Sequence, residues 1–139
     1  MGMSGMFEIE TNMMKADSVE DCLKANEIVV CSCEAACSSG IFGEIASLFT
    51  EKALWKCVLA VTNLRVICFS DGCAQFLTPY HFRGVNVRNK GDGAAELHFI
   101  FTDYDEYDMK PAFFCSPLKK IDIYSAEQAA EAANRLIHK

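Results

Sequence analysis

The sequence predicts a mainly β fold of the α+β class: a seven-stranded antiparallel sandwich or partly open barrel, capped by a carboxyl-terminal amphipathic helix. Three observations support this prediction. Short strand-like runs alternate with turn signals along most of the chain. The long apolar stretch at residues 53–69 alternates like a pair of strands. Residues 125–138 have the periodicity of an amphipathic helix.

The apolar stretch at residues 53–69 is the part of the chain on which the fold class depends most. A membrane-spanning helix needs about twenty apolar residues, and this stretch is shorter and contains Lys56, Asn63 and Arg65. Its many β-branched residues also disfavour a helix. Thr62-Asn63 favours a turn, so we predict two antiparallel strands. Alternate residues would share one face of the first strand, namely Trp55, Cys57, Leu59 and Val61.

The other strands follow from the same kind of alternation. Asp71-Gly72 predicts a hairpin between the third and fourth strands. Pro111 confines the last strand to a sheet edge or a bulge. We expect one domain over residues 17–139, preceded by a loosely ordered segment at residues 1–16. The five further strands are predicted at residues 27–36, 73–77, 84–88, 94–101 and 109–115.

Three helical segments complete the prediction. A short helix is expected at residues 18–26, with Ser18 as its N-cap. A capping box at Ser125 and Gln128 begins the final helix. A third amphipathic helix lies between the first two strands, with an apolar face of Ile41, Phe42, Ile45, Leu48 and Phe49. The final helix has an inner face of Ala126, Ala129, Ala130, Ala133, Leu136 and Ile137, and a solvent face of Glu127, Glu131, Asn134, Arg135 and His138.

The composition favours a cytoplasmic protein that does not bind nucleic acid. The 139 residues carry a net charge of −6, which is opposite to the basic footprint that phosphate neutralisation needs. The same charge disfavours strong attraction to anionic membranes. The first residues lack the positive start and the apolar centre of a secretion signal. We therefore expect a cytoplasmic chain without a transmembrane segment.

The eight cysteines invite a disulfide or metal interpretation. Most lie in apolar strand-like runs, where cysteine behaves as a small buried hydrophobe, and cytoplasmic thiols are normally reduced. Cys31, Cys33 and Cys37 would share one side of a straight strand. Zinc sites more often use a Cys-x-x-Cys pair with a second pair at similar spacing, which this chain lacks. A metal site at these thiols stays open as the less favoured interpretation, and no cofactor is expected.

The sequence contains no recognisable catalytic motif. His81 lies in a predicted turn, His98 in a strand and His138 on the solvent face of the final helix. None belongs to an evident arrangement of nucleophile and base. The acids at residues 103–108 lack the glycine and the distal glutamate of a calcium loop. Because phosphate loops and dinucleotide fingerprints are absent as well, we predict that the protein is not an enzyme.

Three stretches and the order of the elements resemble a pleckstrin-homology-like (PH-like) domain of the bacterial PH and GRAM group. Residues 23–30, LKANEIVV, are similar to that group's Leu-x-x-x-Glu entry into the first strand. Residues 59–69, LAVTNLRVICF, resemble its Leu-x-x-Thr-Asn-x-Arg hairpin. Residues 76–87, FLTPYHFRGVNV, resemble the strand, polar turn and valine-alternating strand that follow. We expect structural roles for Thr62, Asn63 and Arg65, with Arg65 reaching carboxylates or carbonyl groups.

The resemblance implies a binding module. We favour a non-enzymatic PH-like module that acts through protein contacts or self-association, which makes an oligomer the expected state. Its contact surface would be an exposed strand edge or the apolar helical face at Ile41, Phe42, Ile45, Leu48 and Phe49. The alternative is a GRAM-type domain that binds an anionic lipid headgroup through Arg65, Arg83 and Arg88. A cysteine metal-binding module is the third hypothesis.

Overall fold

The protein is mainly β, with one long helix at its carboxyl end, as the sequence predicts. The computed structural model describes residues 13–37, 55–70, 72–101 and 118–138. The strands are β1 (Met13–Lys15), β2 (Val29–Cys37), β3 (Trp55–Thr62), β4 (Val66–Ser70), β5 (Cys73–Leu77), β6 (Phe82–Gly91), β7 (Ala94–Phe101) and β8 (Leu118–Asp122). The helix α1 spans Ile123–Ile137, and a single 3₁₀ turn spans Glu20–Cys22.

One open antiparallel sheet contains the described strands, in the order β1-β5-β4-β3-β2-β8-β7-β6. Strands β2 to β5 form one meander, and β6 to β8 form a second. The two meanders join where Ala36 and Cys37 of β2 pair with Lys119 and Leu118 of β8. The eight strands of the described residues are the six predicted strands that lie within them, together with β1 and β8, whose sequences gave no recognisable alternation.

The β3–β4 hairpin confirms the prediction for the long apolar stretch. Val61 pairs with Val66, and Val58 pairs with Phe69, in an antiparallel register. The Thr62 N–H donates to the Arg65 carbonyl oxygen at 2.9 Å, which closes the turn between the strands. The stretch therefore doubles back at Thr62-Asn63 and does not continue as a helix.

The β6–β7 hairpin turns through residues with left-handed backbone angles. Gly91 pairs with Ala94, so Asp92 and Gly93 are the two central residues of the turn. Their φ angles are +56° and +77°. A two-residue primed turn requires positive φ at both central positions, and its twist matches that of the flanking strands. Aspartate followed by glycine satisfies this requirement at low steric cost.

A single main core lies between the curved sheet and α1. Leu77 of β5 and Phe82 of β6 belong to different meanders, yet both are buried in this core, so the sheet curls around it. Phe82 packs edge-to-face on Phe99 with ring centroids 5.8 Å apart. The face of α1 that enters the core consists largely of alanine, which allows a close approach to the sheet. Its buried residues are Ala126, Ala129, Ala130, Ala133 and Leu136.

A smaller core lies on the opposite face of β3, β4 and β5. Ala60, Ile67 and Ala74 point to this face and pack with Cys22 from the 3₁₀ turn. The chain at residues 16–23 covers them, and β1 adds three residues of pairing to the edge of β5. β1 lies within the segment for which we expected a loosely ordered start. The amino-terminal arm, defined here as residues 13–27, is therefore a packed part of the domain.

Two helix predictions need correction. The helix expected at residues 18–26 is a single 3₁₀ turn, because Leu23 is already extended and the chain bends to bring Glu27 under the β3–β4 turn. The final helix begins three residues earlier than predicted. Asp122 is its N-cap and accepts the Ser125 N–H at 3.2 Å, so Ser125 lies inside the first turn.

Several predicted features lie outside the described residues. They are the amphipathic helix of residues 41–49, the strand at residues 109–115, and the acidic stretch at residues 103–108. In the part of the chain that is described, no helix combines the length and the hydropathy needed to cross a membrane.

Candidate functional site

A buried ion pair between Glu27 and Arg65 joins the amino-terminal arm to the β3–β4 turn. Arg65 Nε lies 2.9 Å from Glu27 Oε2, and Arg65 Nη2 lies 3.0 Å from Glu27 Oε1, so the pair is bidentate. Nη2 also donates to the Cys22 carbonyl oxygen at 2.7 Å. The guanidinium carbon lies 4.0 Å from the centre of the Phe76 ring. The Glu27 side chain is 0% exposed and the Arg65 side chain 11% exposed.

The Thr62 hydroxyl connects this ion pair to the turn itself. It donates to Glu27 Oε2 at 2.6 Å. It also accepts the backbone N–H groups of Leu64 and Arg65, each at 3.0 Å. One hydroxyl therefore both satisfies donors of the tight turn and helps to hold the buried carboxylate.

Asn63 binds the same turn to the chain that enters β2. Its side-chain oxygen accepts the Ile28 N–H at 2.8 Å, and its side-chain nitrogen donates to the Asn26 carbonyl oxygen at 3.1 Å. The Asn63 N–H donates to the Ile28 carbonyl oxygen at 3.0 Å. Thr62, Asn63 and Arg65 thus have structural roles, as the sequence led us to expect.

The protonation state of Glu27 explains why Arg65 is not free for a ligand. Burial on its own raises the pKa of Glu27, but hydrogen bonds from Arg65, from Thr62 and from the Lys24 N–H outweigh it, so the net pKa is lowered. Glu27 is therefore ionised at neutral pH and compensates the Arg65 charge inside the protein. A phosphate would have to displace this carboxylate to reach Arg65.

Arg83 and Arg88 lie apart from Arg65, on the second meander. Both are exposed side chains of β6. The geometry therefore does not unite the three arginines that we considered as phosphate ligands. Arg65 is internal, whereas Arg83 and Arg88 remain available at the surface.

The outer face of β6, β7 and β8, which is the face turned away from α1, is basic. Arg88 of β6 is directly opposite Glu96 of β7 in the register. A hydrogen bond from His98 lowers the pKa of Glu96 despite partial burial, and the charges of Lys90 and Lys119 lower it further. His98 Nε2 lies 2.9 Å from Glu96 Oε1. Cations from β6 and β8 therefore lie on either side of this carboxylate, although the whole chain is acidic.

Strand β6 lies at an edge of the sheet: β7 pairs with one of its flanks, and no described strand pairs with the other. We call this second side the free flank of β6. At Val85 this flank is closed by a side chain. Asn134 of α1 accepts the Val85 N–H through Oδ1 at 3.1 Å and donates through Nδ2 to the Val85 carbonyl oxygen at 3.2 Å. The Asn134 carboxamide thus makes the two contacts that a neighbouring strand would make. Asn134 is half-buried, although we predicted it on the solvent face.

A second open flank belongs to β2. This strand pairs with β3 over nearly its whole length, but with β8 only at Ala36 and Cys37. Among the described residues, no strand pairs with residues 29–35 on the β8 side. Ile28 and Val30 are 68% and 56% exposed, which is high for apolar side chains at a sheet edge.

The histidines have local structural partners. His81 Nδ1 lies 3.0 Å from Thr78 Oγ1, within the turn before β6. Burial lowers the pKa of His81, so this imidazole is neutral at pH 7. His98 contacts Glu96 on the outer face, and His138 is exposed at the end of α1.

The cysteines of the described residues are buried or partly buried. Cys37, Cys57 and Cys68 are buried in the main core, with Cys31 and Cys33 packed against it. Burial raises the pKa of Cys33 to about 11, with smaller contributions from Cys31 and Cys57. Within the described ranges, no group of three or more His, Cys, Asp or Glu residues could hold a metal ion. The metal hypothesis therefore gains no support from this part of the chain.

A pocket of about 340 Å³ lies where the ends of β2, β3, β4 and β8 meet. Lys56 and Lys120 contribute ammonium groups to it, and Glu34 contributes a carboxylate. Lys120 has a φ angle of +56°, which is uncommon for a residue with a side chain. The pocket is thus a mixed-charge surface depression with apolar walls from Val58 and Phe69.

Sequence reasoning missed the two most informative contacts of the site. Glu27 was recognised only as part of a family-like entry into the first strand, and its role as the partner of Arg65 was not. Asn134 was placed by helical periodicity, which does not report a bond from a side chain to a distant backbone. Comparison with known proteins found no match to any family model, curated protein or solved structure.

Proposed function

We propose that this chain is a non-enzymatic PH-like interaction module that binds protein segments, including those of further copies of itself, through an open strand edge. The observation that carries the proposal is the free flank of β6, where backbone donors and acceptors lie beside α1. An unpaired flank of this kind is a template for an added strand, because main-chain hydrogen bonds supply affinity without a deep pocket.

Contacts between two of the stretches that resemble the PH and GRAM group support the PH-like class. Thr62, Asn63 and Arg65 of the resembling hairpin contact Glu27 and the chain around it, which is the other resembling stretch. The two resembling stretches thus bind each other through hydrogen bonds and an ion pair. The antiparallel meanders and the carboxyl-terminal α1 also agree with the fold that the resemblance implies.

The local chemistry supports a binding role rather than catalysis. The His81 imidazole is tied to its own turn, and the His98 imidazole to Glu96. Burial raises the pKa of Cys31 and Cys33, which reduces the thiolate fraction that nucleophilic catalysis needs.

The second candidate is a domain that binds an anionic lipid headgroup. Its supporting observation is the set of exposed cations on β6, where Arg83 and Arg88 are accessible and Lys90 lies nearby. Lys56 and Lys120, which line the pocket, form a second group of basic side chains. The net charge of −6 opposes adsorption of the whole chain to an anionic membrane, which is why protein binding is preferred.

Sedimentation separates the two candidates. The interaction module predicts a sedimentation coefficient that rises with protein concentration, and no pelleting with vesicles of phosphatidylcholine containing phosphatidylserine. The lipid domain predicts pelleting that weakens at high salt and is lost in the Arg83→Ala variant. A chain that stays monomeric at all concentrations and pellets in this manner would replace the proposal by its alternative.

A further inference from the structure

We infer that the flank of β6 at Val87 and Asn89 receives an extended partner peptide with carboxylates at alternate positions. This inference rests on the proposed function and specifies it. It names the strand edge, its register and the chemistry of the partner. The partner would add as a ninth strand beside the described sheet, outside β6.

The backbone argument starts from Asn134. Because Asn134 binds both the N–H and the carbonyl oxygen of Val85, these groups point away from β7. Residues two apart in a strand direct their backbone groups to the same side. The pairing of β6 with β7 is regular from Val85 to Asn89, so the groups of Val87 and Asn89 also point to the free flank.

The same contact sets the limit of the added strand. The Asn134 carboxamide already occupies the bonding positions at Val85, so an incoming backbone cannot pair there without displacing it. The available ladder therefore runs from Val87 towards the β6–β7 turn. Arg83 lies beyond Asn134 and outside this ladder, whereas Arg88 lies within it.

The side chains around the ladder define the partner's chemistry. On the outer face, Arg88 and Lys90 of β6 are exposed, and the charge of Lys90 reaches Glu96 on the neighbouring strand. Carboxylates on every second residue of an added strand would lie beside these cations as cross-strand pairs. The partner's outward positions should therefore be glutamate or aspartate.

The inner positions of the partner call for different residues. They would lie on the side of α1, next to Val85, which is buried, and Val87, which is half-buried. α1 carries exposed Glu127 and Glu131, so carboxylates on this side would be repelled. Apolar residues are favoured there. The inferred partner is thus an extended segment in which acidic and apolar residues alternate.

A peptide titration tests this inference. The probe is a short acetylated and amidated peptide that alternates glutamate with valine, and binding is followed through the NMR amide signals of Val87 and Asn89. We expect saturable shifts of these two signals. The matched control is a peptide of the same composition with its glutamates and valines in two blocks, which cannot place all its acids on one face. Equal binding of both peptides would overturn the inference that acidic and apolar residues alternate in the partner.

Two protein variants and one modified peptide test the register. Arg88→Glu should weaken binding about threefold to tenfold, since a favourable cross-strand pair becomes a repulsive one. Arg83→Glu makes the same charge change on the same strand and should leave binding unchanged. N-methylation of alternate peptide residues should abolish binding, because it removes the donors of the ladder. Binding that survives N-methylation, or depends equally on both arginines, would overturn strand addition at this edge.

Failure of this inference is distinguishable from failure of the proposed function. A chain that self-associates in sedimentation but ignores the alternating peptide overturns the inference and leaves the interaction module standing. A chain that shows neither behaviour and binds vesicles overturns both. Peptide binding that is lost in Arg88→Glu and kept in Arg83→Glu supports both.

Discussion

Replacement of Arg65 by methionine should destabilise the domain strongly, because it leaves Glu27 ionised and without its main partner. The Glu27 side chain is 0% exposed, so water cannot take over the role of the guanidinium. Breaking a buried ion pair by removing one partner typically costs about 3–5 kcal/mol of unfolding free energy. A domain of this size has only about 5–15 kcal/mol in total. We expect urea denaturation of Arg65→Met at pH 7 to show a loss in that range.

The loss should depend on pH in a defined direction. In the wild type the pKa of Glu27 is lowered, so its ionisation stabilises the fold above the unfolded value of about 4.3, and this contribution disappears as the pH falls through the folded pKa. In Arg65→Met burial dominates and the pKa of Glu27 rises. The difference in unfolding free energy between wild type and variant should therefore shrink as the pH falls from the raised pKa of the variant to the lowered pKa of the wild type, below which Glu27 is protonated in both.

The matched control is Arg135→Met. Arg135 pairs with Glu131 one turn away on α1, but both side chains are largely exposed. An exposed pair of this kind contributes about 0.3–0.5 kcal/mol. A loss at Arg65 no larger than the loss at Arg135, or one that does not depend on pH, would refute the view that the buried pair holds the arm to the turn.

Three further outcomes are expected. Asn63→Ala should lower the unfolding free energy by about 1–2 kcal/mol in urea denaturation, because the backbone groups of Asn26 and Ile28 lose their partners; no change would contradict this role. Asp122→Ala should cost about 1 kcal/mol, and helix content measured by circular dichroism should fall more than in Ser125→Ala if Asp122 is the N-cap. Because burial raises the pKa of Cys33 to about 11, Cys33 should react with iodoacetamide at pH 8 about a hundredfold more slowly in the folded than in the unfolded chain. Peptide mapping by mass spectrometry measures both rates. Equal rates in the folded and unfolded chains would contradict the raised pKa.

The strands that the sequence predicted correctly are those with a regular period and a turn signal. β3 and β4 alternate on either side of Thr62-Asn63, and β7 alternates buried Leu97 and Phe99 with less buried neighbours. Asp92-Gly93 supplies the turn between β6 and β7. In these segments the local preference and the tertiary environment agree, so a single sequence suffices.

The strands that the sequence missed lack such a period. β8 has the sequence LKKID, in which adjacent lysines break the alternation, and a positive φ at Lys120 distorts the strand. β1 has three residues and is held by its pairing with β5. Neither segment reveals its strand character without the neighbour on which it pairs. Pairing with a distant partner is tertiary information, which propensity does not contain.

The site likewise contains residues whose roles the sequence predicted and residues whose roles it missed. Arg65 could be assigned a structural role because an arginine at a strand start commonly reaches carboxylates, but its partner Glu27, 38 residues away, could not be derived from spacing. Asn134 illustrates the opposite error. Its position on the helix favoured solvent, and only the approach of β6 gives its carboxamide a backbone to bind.

Amide hydrogen exchange at Val87 and Asn89 tests the role of the β6 flank most directly. Measured on the full chain at a concentration where it sediments as a monomer, both amides should exchange like unprotected groups, while the Val85 amide is slowed by Asn134. Addition of the alternating acidic peptide should then slow Val87 and Asn89 and leave Val85 unchanged. Protection of Val87 and Asn89 before any peptide is added, or exchange that the peptide does not alter, would contradict the account.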